Sequence, residues 1–268
     1  MLTVSVFNLS TVLTDDSVSN AVRDLQTQVD RDFAPIWSIG AKLEFCRKNG
    51  APPPAGSWWL AVLDDTDQAN AVGYHDVTPQ GLPLGKVFAR TDAESGHIWT
   101  ITASHELLEM LADPWMNRCC LGLVSGNYKI LAYEVCDPCE DDGFGYKIGQ
   151  TLVADFITPA WFEENSTDGQ FDFCGFIKKP LEILPGGYIG AYEPNHGWSQ
   201  IRVPNVSKQF ERGMAVPRQS SIPLGSRRDK RFRKSLGLPL LKSGDPINIP
   251  DALALAAISR TFLSVNTQ

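Results

Sequence analysis

The 268-residue sequence has no uninterrupted apolar run of about 18 residues, the length a helix needs to cross a bilayer, so no membrane span or membrane partner is expected. Its opening, MLTVSVFNLS, lacks both a basic segment and a long apolar stretch, which argues against a signal peptide. Six cysteines are too sparse in a chain of this length to force a disulfide framework, and reduced thiols are expected. Positive charge is also in deficit. A formal net charge of -7 disfavours nucleic-acid binding across the whole surface. The acidic run at residues 140–142, followed by Gly143, lacks EF-hand spacing and reads as an exposed turn at least as well as a calcium loop.

What is present is a core. Hydrophobic residues make up 43% and charged residues 21%, enough for one large domain or two small ones. Residues 3–7 read as a strand. Thr14-Asp15-Asp16 then opens a helix, with acids where the first-turn amides favour them. Val18, Val22, Leu25, Val29 and Phe33 give that helix one apolar face, and Pro35 is expected to end it. Further strands are predicted at residues 41–46, 57–63, 72–75, 86–89, 130–136 and 188–192, with another apolar run at 152–157. After about residue 206 the texture changes. Residues 208–234 hold nine Lys or Arg against two acids and read as a solvated arm, and residues 251–263 can form a short terminal helix.

The stretch TITASHELLEMLADP, residues 100–114, carries most of the functional information. It contains His-Glu-x-x-Glu, with Glu109 where a zinc-protease signature has a second histidine. His105 and Glu109 are four apart and leave one helical face, so both can bind one ion while Leu107, Leu108 and Leu111 anchor the helix. Glu106, about 100° round the helix, is placed to act as the base that takes a proton from an activated water. Carboxylates join imidazoles readily on zinc, whereas the added negative charge also suits calcium or manganese. The same spacing suits an ordinary amphipathic helix. A third ligand has to come from elsewhere. Glu134 is the first candidate and Asp137 the second, in the dense stretch YEVCDPCEDD, residues 133–142. Asp113, one turn beyond Glu109, can reach the ion or orient His105. Cys136-x-x-Cys139 is one weak pair. Cys119 and Cys120 are adjacent and chelate poorly together, and Cys136 reads equally as a buried small hydrophobe. His75, with Tyr74 beside it, can face a substrate, although a lone histidine near a turn is more often only hydrogen-bonded. His97 and His196 carry no signal.

Several motifs together resemble a group of bacterial and phage-associated proteins. They are GYHDVTPQGLPLGKVFA (residues 73–89), SHELLEMLADP (104–114), YEVCDPCE (133–140), ADFITPAWF (154–162) and LPGGY (184–188). A wider, zincin-like set shares a His-Glu-x-x-Glu helix ending in Asp-Pro and a downstream Glu-x-x-Asp element. The resemblance implies an α+β, zincin-like domain over residues 1–206, with a mixed sheet, an N-terminal helix and a metal-site helix. Residues 207–268 then form a basic extended arm and short C-terminal helix. It aligns His105, Glu109, Glu134 and Asp137 with metal positions and Glu106 with the base. In such folds an edge strand before the metal helix holds an extended peptide. Residues 73–75 or 86–89 can supply it. The implied activity is metal-dependent peptide hydrolysis, with zinc first and calcium or manganese as alternatives, on a peptide or protein substrate. The competing reading is a non-catalytic structural or assembly protein, of a phage particle for instance, whose residues 207–268 grip a homo-oligomer. A nucleic-acid contact through the basic cluster at 227–234 is the weakest of the three. The expected location is cytoplasmic, or the virion for a phage-encoded chain.

Overall fold

A computed structural model describes residues 1–47, 50–68, 71–167, 169–193 and 197–204, and the backbone of 218–221. It is a mixed α+β fold. The first sheet contains β1 (Thr3–Asn8), β2 (Lys42–Cys46), β3 (Trp58–Leu63), β4 (Gly73–Val77) and β5 (Pro83–Phe88), in the order β2-β1-β3-β5-β4. The first four in that order are mutually parallel, and β4 runs antiparallel to β5 at one edge. The second sheet is antiparallel around β10 (Tyr188–Glu193). Its neighbours are β7 (Asn127–Ala132), which carries β6 (Cys119–Val124), and β11 (Gly197–Arg202). Arg218–Ser221, β12, adds to β11, and the rest of the expected arm and terminal helix lies outside the described residues. So does His196. A small hairpin, β8 (Tyr146–Ile148) with β9 (Thr151–Val153), lies between.

Helix α1 (Asp15–Thr27) starts as its sequence dictates: the Thr14 side chain accepts the Ser17 N–H at 3.1 Å. Val18, Val22, Leu25, Val29 and Phe33 are all buried. The helix does not end at Pro35. It widens into a π-helical turn, Gln28–Phe33, and continues as α2 (Ala34–Trp37) until Ser38 takes a left-handed conformation at φ 54°. Pro35 falls in the first turn of α2, where a missing N–H costs nothing. Helix α3 (Ala89–Ser95) leads into α4 (Trp99–Ala112), which carries the His-Glu-x-x-Glu motif and lies along β4 and β5. A buried hydrogen bond from the Ser104 hydroxyl to the Gln28 side-chain oxygen, 2.7 Å, ties α4 to the π-helical turn. No helix among the described residues is long and apolar enough to cross a membrane.

Two predicted strands are shorter than expected. The strand read over residues 130–136 stops at Ala132. Beyond it the backbone finds other partners: Val135 C=O accepts from Ile157, and Cys136 N–H donates to the Glu109 carboxylate. The run at 152–157 is a strand only to Val153, with an isolated bridge from Ile157 to Asp172.

Candidate metal centre

The i,i+4 spacing on α4 and the irregular stretch after β7 converge. His105 Nε2 lies 3.2 Å from Glu109 Oε2 and 3.3 Å from Asp137 Oδ1. The other Glu109 oxygen accepts the Cys136 backbone N–H at 3.1 Å, which turns Oε2 towards His105. The Cys136 sulfur joins His105 and Glu109 in one group of potential ligand atoms, all within 4.8 Å of one another. A second such group is His75, Glu106 and Glu109. His75 Nδ1 is 3.7 Å from Glu106 Oε2 and 3.9 Å from Glu109 Oε2, and its Nε2 is 3.9 Å from Glu134 Oε2. His75, Glu106, Glu109, Glu134 and Asp137 are all buried, and His105 is the most open member, with 12% of its side chain exposed.

Burial alone would strip His105 of its proton. The Glu109 charge and hydrogen bonds to Asp137 and Glu109 outweigh that and hold its pKa well above the usual imidazole value. Burial also acts to raise Glu109, but the His105 charge and hydrogen bond pull it below the ordinary glutamate value. Asp137 goes the other way. Burial, reinforced by the Glu109 charge, pushes it well up despite its bond to His105. Without an ion, the upward shifts of His105 and Asp137 both act against the build-up of negative charge among the buried carboxylates. This is the balance a divalent ion would take over, because ligation requires neutral imidazole and ionised carboxylate. His105, Glu109 and Cys136 offer imidazole, carboxylate and sulfur donors within reach of one divalent ion.

The remaining predicted residues are placed differently. Asp113 serves His75 rather than His105: its backbone carbonyl meets His75 Nε2 at 3.2 Å. Its carboxylate accepts the Asn117 and Arg118 N–H groups at 2.9 and 3.0 Å, holding the turn after α4. Tyr74 lies on the opposite face of β4 from His75, with its hydroxyl 2.7 Å from Asp67 and Lys86 over its ring. The acidic turn is used by the backbone. Asp142 accepts the N–H of Ile98, the residue that caps α4, at 3.0 Å, and Asp141 accepts that of Gly143. Glu140 is pushed up to about 7, mainly by burial.

Two participants escape a reading of the sequence alone. His75 reaches the centre because β4 closes tightly on α4. A side-chain carbon at Gly73 would fall 2.6 Å from Thr102 Cγ2 and 2.8 Å from Glu106 Oε1. Cys136 groups with His105 and Glu109, and among the described residues neither potential ligand group includes Cys139, Cys119 or Cys120. Gly187 packs the far side of the loop. A carbon there would meet the Pro138 carbonyl oxygen at 2.5 Å. No family model, curated protein or solved structure matches the chain.

Proposed function

We propose that the chain is a zincin-like, metal-dependent hydrolase of peptide bonds. The observation that carries this reading is the meeting of His105, Glu109 and Cys136 in one group of potential ligands, with Asp137 3.3 Å from His105 and Glu106 next along the same helix. His105 Nε2, Glu109 Oε2 and Asp137 Oδ1 would hold the ion, with the Cys136 sulfur as a fourth donor. Zinc suits this set best, ahead of calcium or manganese. Bound there, the ion would supply Lewis acidity towards a water and a carbonyl oxygen.

The chain's own residues do the rest. Glu106 is the group that takes the proton and returns it to the leaving amine. The Cys136 N–H keeps the Glu109 carboxylate turned to the ion. The edge strand is β4, not β5, since β5 is paired on both sides. The outer edge of β4 suits an extended peptide added by backbone hydrogen bonds beside α4. The mixed sheet with this one antiparallel edge strand, followed by the metal helix, supports the zincin-like reading.

The test is metal analysis of protein purified without added metal, joined to cleavage of a diverse peptide library with zinc, manganese or calcium supplied. Glu106→Gln is expected to keep the ion held by His105 and Glu109 and to lose about 10²–10⁴ in rate. His105→Ala is expected to lose the ion and the stability it confers. Cleavage undiminished in Glu106→Gln removes that residue from the mechanism. No cleavage with any metal, while His105→Ala still lowers the melting temperature, transfers the site to a scaffold role.

A further inference from the structure

The geometry points to a second divalent-cation site, formed by His75 Nδ1, Glu106 and Glu109, which adjoins the first through the shared Glu109 carboxylate. It rests on the reading that the His105 centre holds an ion.

The orientation of His75 is the first argument. Its Nε2 faces the Asp113 carbonyl at 3.2 Å, and a carbonyl only accepts, so Nε2 carries a proton. In the neutral ring the lone pair therefore sits on Nδ1. A ring nitrogen tied to a backbone carbonyl while the other ring nitrogen binds the ion is the usual arrangement of a ligating histidine. The second argument is spacing. Nδ1 stands 3.7 and 3.9 Å from two carboxylate oxygens, beyond hydrogen-bond reach. A few tenths of an ångström of side-chain rotation would bring it to the ~3.3 Å of two donors on one zinc. The third is the concentration of donors: Glu106, Glu109, Glu134 and Asp137 are all buried close to the two imidazoles. The bare backbone at Gly73 supplies the means, since it lets β4 close on Glu106 and carry His75 in.

An ion in this second site engages Glu106, which then takes no proton from water. Excess metal is therefore expected to suppress the hydrolysis that one equivalent supports.

The experiment counts ions. Full-length protein is stripped with chelator, titrated with zinc and desalted, and bound metal per chain is measured. A parallel sample is loaded with manganese for electron paramagnetic resonance. Wild type is expected to hold two equivalents, His75→Ala one, and the two manganese ions to show an exchange-coupled spectrum through Glu109. One equivalent in wild type, with an isolated-ion manganese spectrum, overturns the second site and leaves the first standing. Two equivalents retained by His75→Ala overturns the assignment to His75. No bound metal at all overturns both this site and the reading it rests on. Should His75→Ala fail to fold, the wild-type count and the manganese spectrum still decide.

Discussion

Asp92 on α3 is fully buried, and its position makes the fold sensitive to pH in a direction opposite to that of most carboxylates. One of its oxygens accepts the Thr102 hydroxyl at 2.9 Å, and the other has no hydrogen-bond partner among the described residues. Burial raises its pKa to about 7. The Thr102 bond opposes the rise, and the charges of Asp142 and Glu106 add to it. A group whose folded pKa lies above its unfolded value stabilises the fold in full below the unfolded pKa. For Asp92 that contribution is present below about pH 4, falls as pH rises, and is gone above about pH 7. At 1.36 kcal/mol per pH unit, ionising Asp92 within the fold costs about 4 kcal/mol. Asn keeps the shape and the acceptor for Thr102 but never ionises. Asp92→Asn should therefore match wild type near pH 4 and exceed it by up to ~4 kcal/mol at pH 8. Urea unfolding of both proteins at a series of pH values between these limits reads the difference directly. A stability difference that stays constant with pH would refute the reasoning, since every other titrating group is common to both.

Two further outcomes follow from the metal centre. Gly73→Ala drives a carbon against Thr102 and Glu106, so overpacking of about 1–3 kcal/mol, offset by ~0.4–1 kcal/mol of lost chain freedom in the unfolded state, should give net destabilisation by thermal melting; an unchanged or raised melting temperature would show that β4 does not press on α4. Cys136→Ala should abolish the sulfur-to-metal charge-transfer absorption of the cobalt-loaded protein and weaken zinc at least tenfold, because losing a ligand should exceed the about 10–100-fold cost of losing a residue that orients one; a cobalt spectrum identical to wild type would remove the sulfur from the donor set.

Much of the frame is local in origin, and so was legible. The Thr14 cap and the apolar stripe through Phe33 rest on side chains within a turn or two of each other. So does the approach of His105 to Glu109, which any helix would produce. The features that were harder to read depend on distant partners. Residues 133–136 have the apolar content of a strand, yet after Tyr133 bonds to Arg118 the hydrogen bonds of Val135 and Cys136 go to Ile157 and Glu109, which periodicity cannot reveal. Pro35 looks like a stop until the π-helical turn before it places it at the start of a new turn. His75 is a ligand candidate only in the observed register, where it stands opposite Gly85 and Gly73 clears its way to α4. The β6–β7 hairpin did have a signal, the Ser125-Gly126 pair. Both residues adopt positive φ, 53° and 78°, as a tight hairpin turn requires.

The segments that meet at Glu109 have an implication for the order in which the molecule assembles. Among these residues, only His105, Glu106 and Glu109 come together through a single turn of helix. His75 arrives from the edge of one sheet, and Cys136 and Asp137 from the exit of a strand in the other. Closing loops of this length loses chain entropy that a lone helical pair of ligands cannot recover, so it is the apolar contacts of the two sheets with α1 and α4 that must drive closure. An ion would therefore meet a chelating cage only after the tertiary structure exists. It would enter as a late clamp on a finished scaffold and not as a template for folding, and the scaffold must tolerate a crowd of buried acids for as long as the cage stands empty.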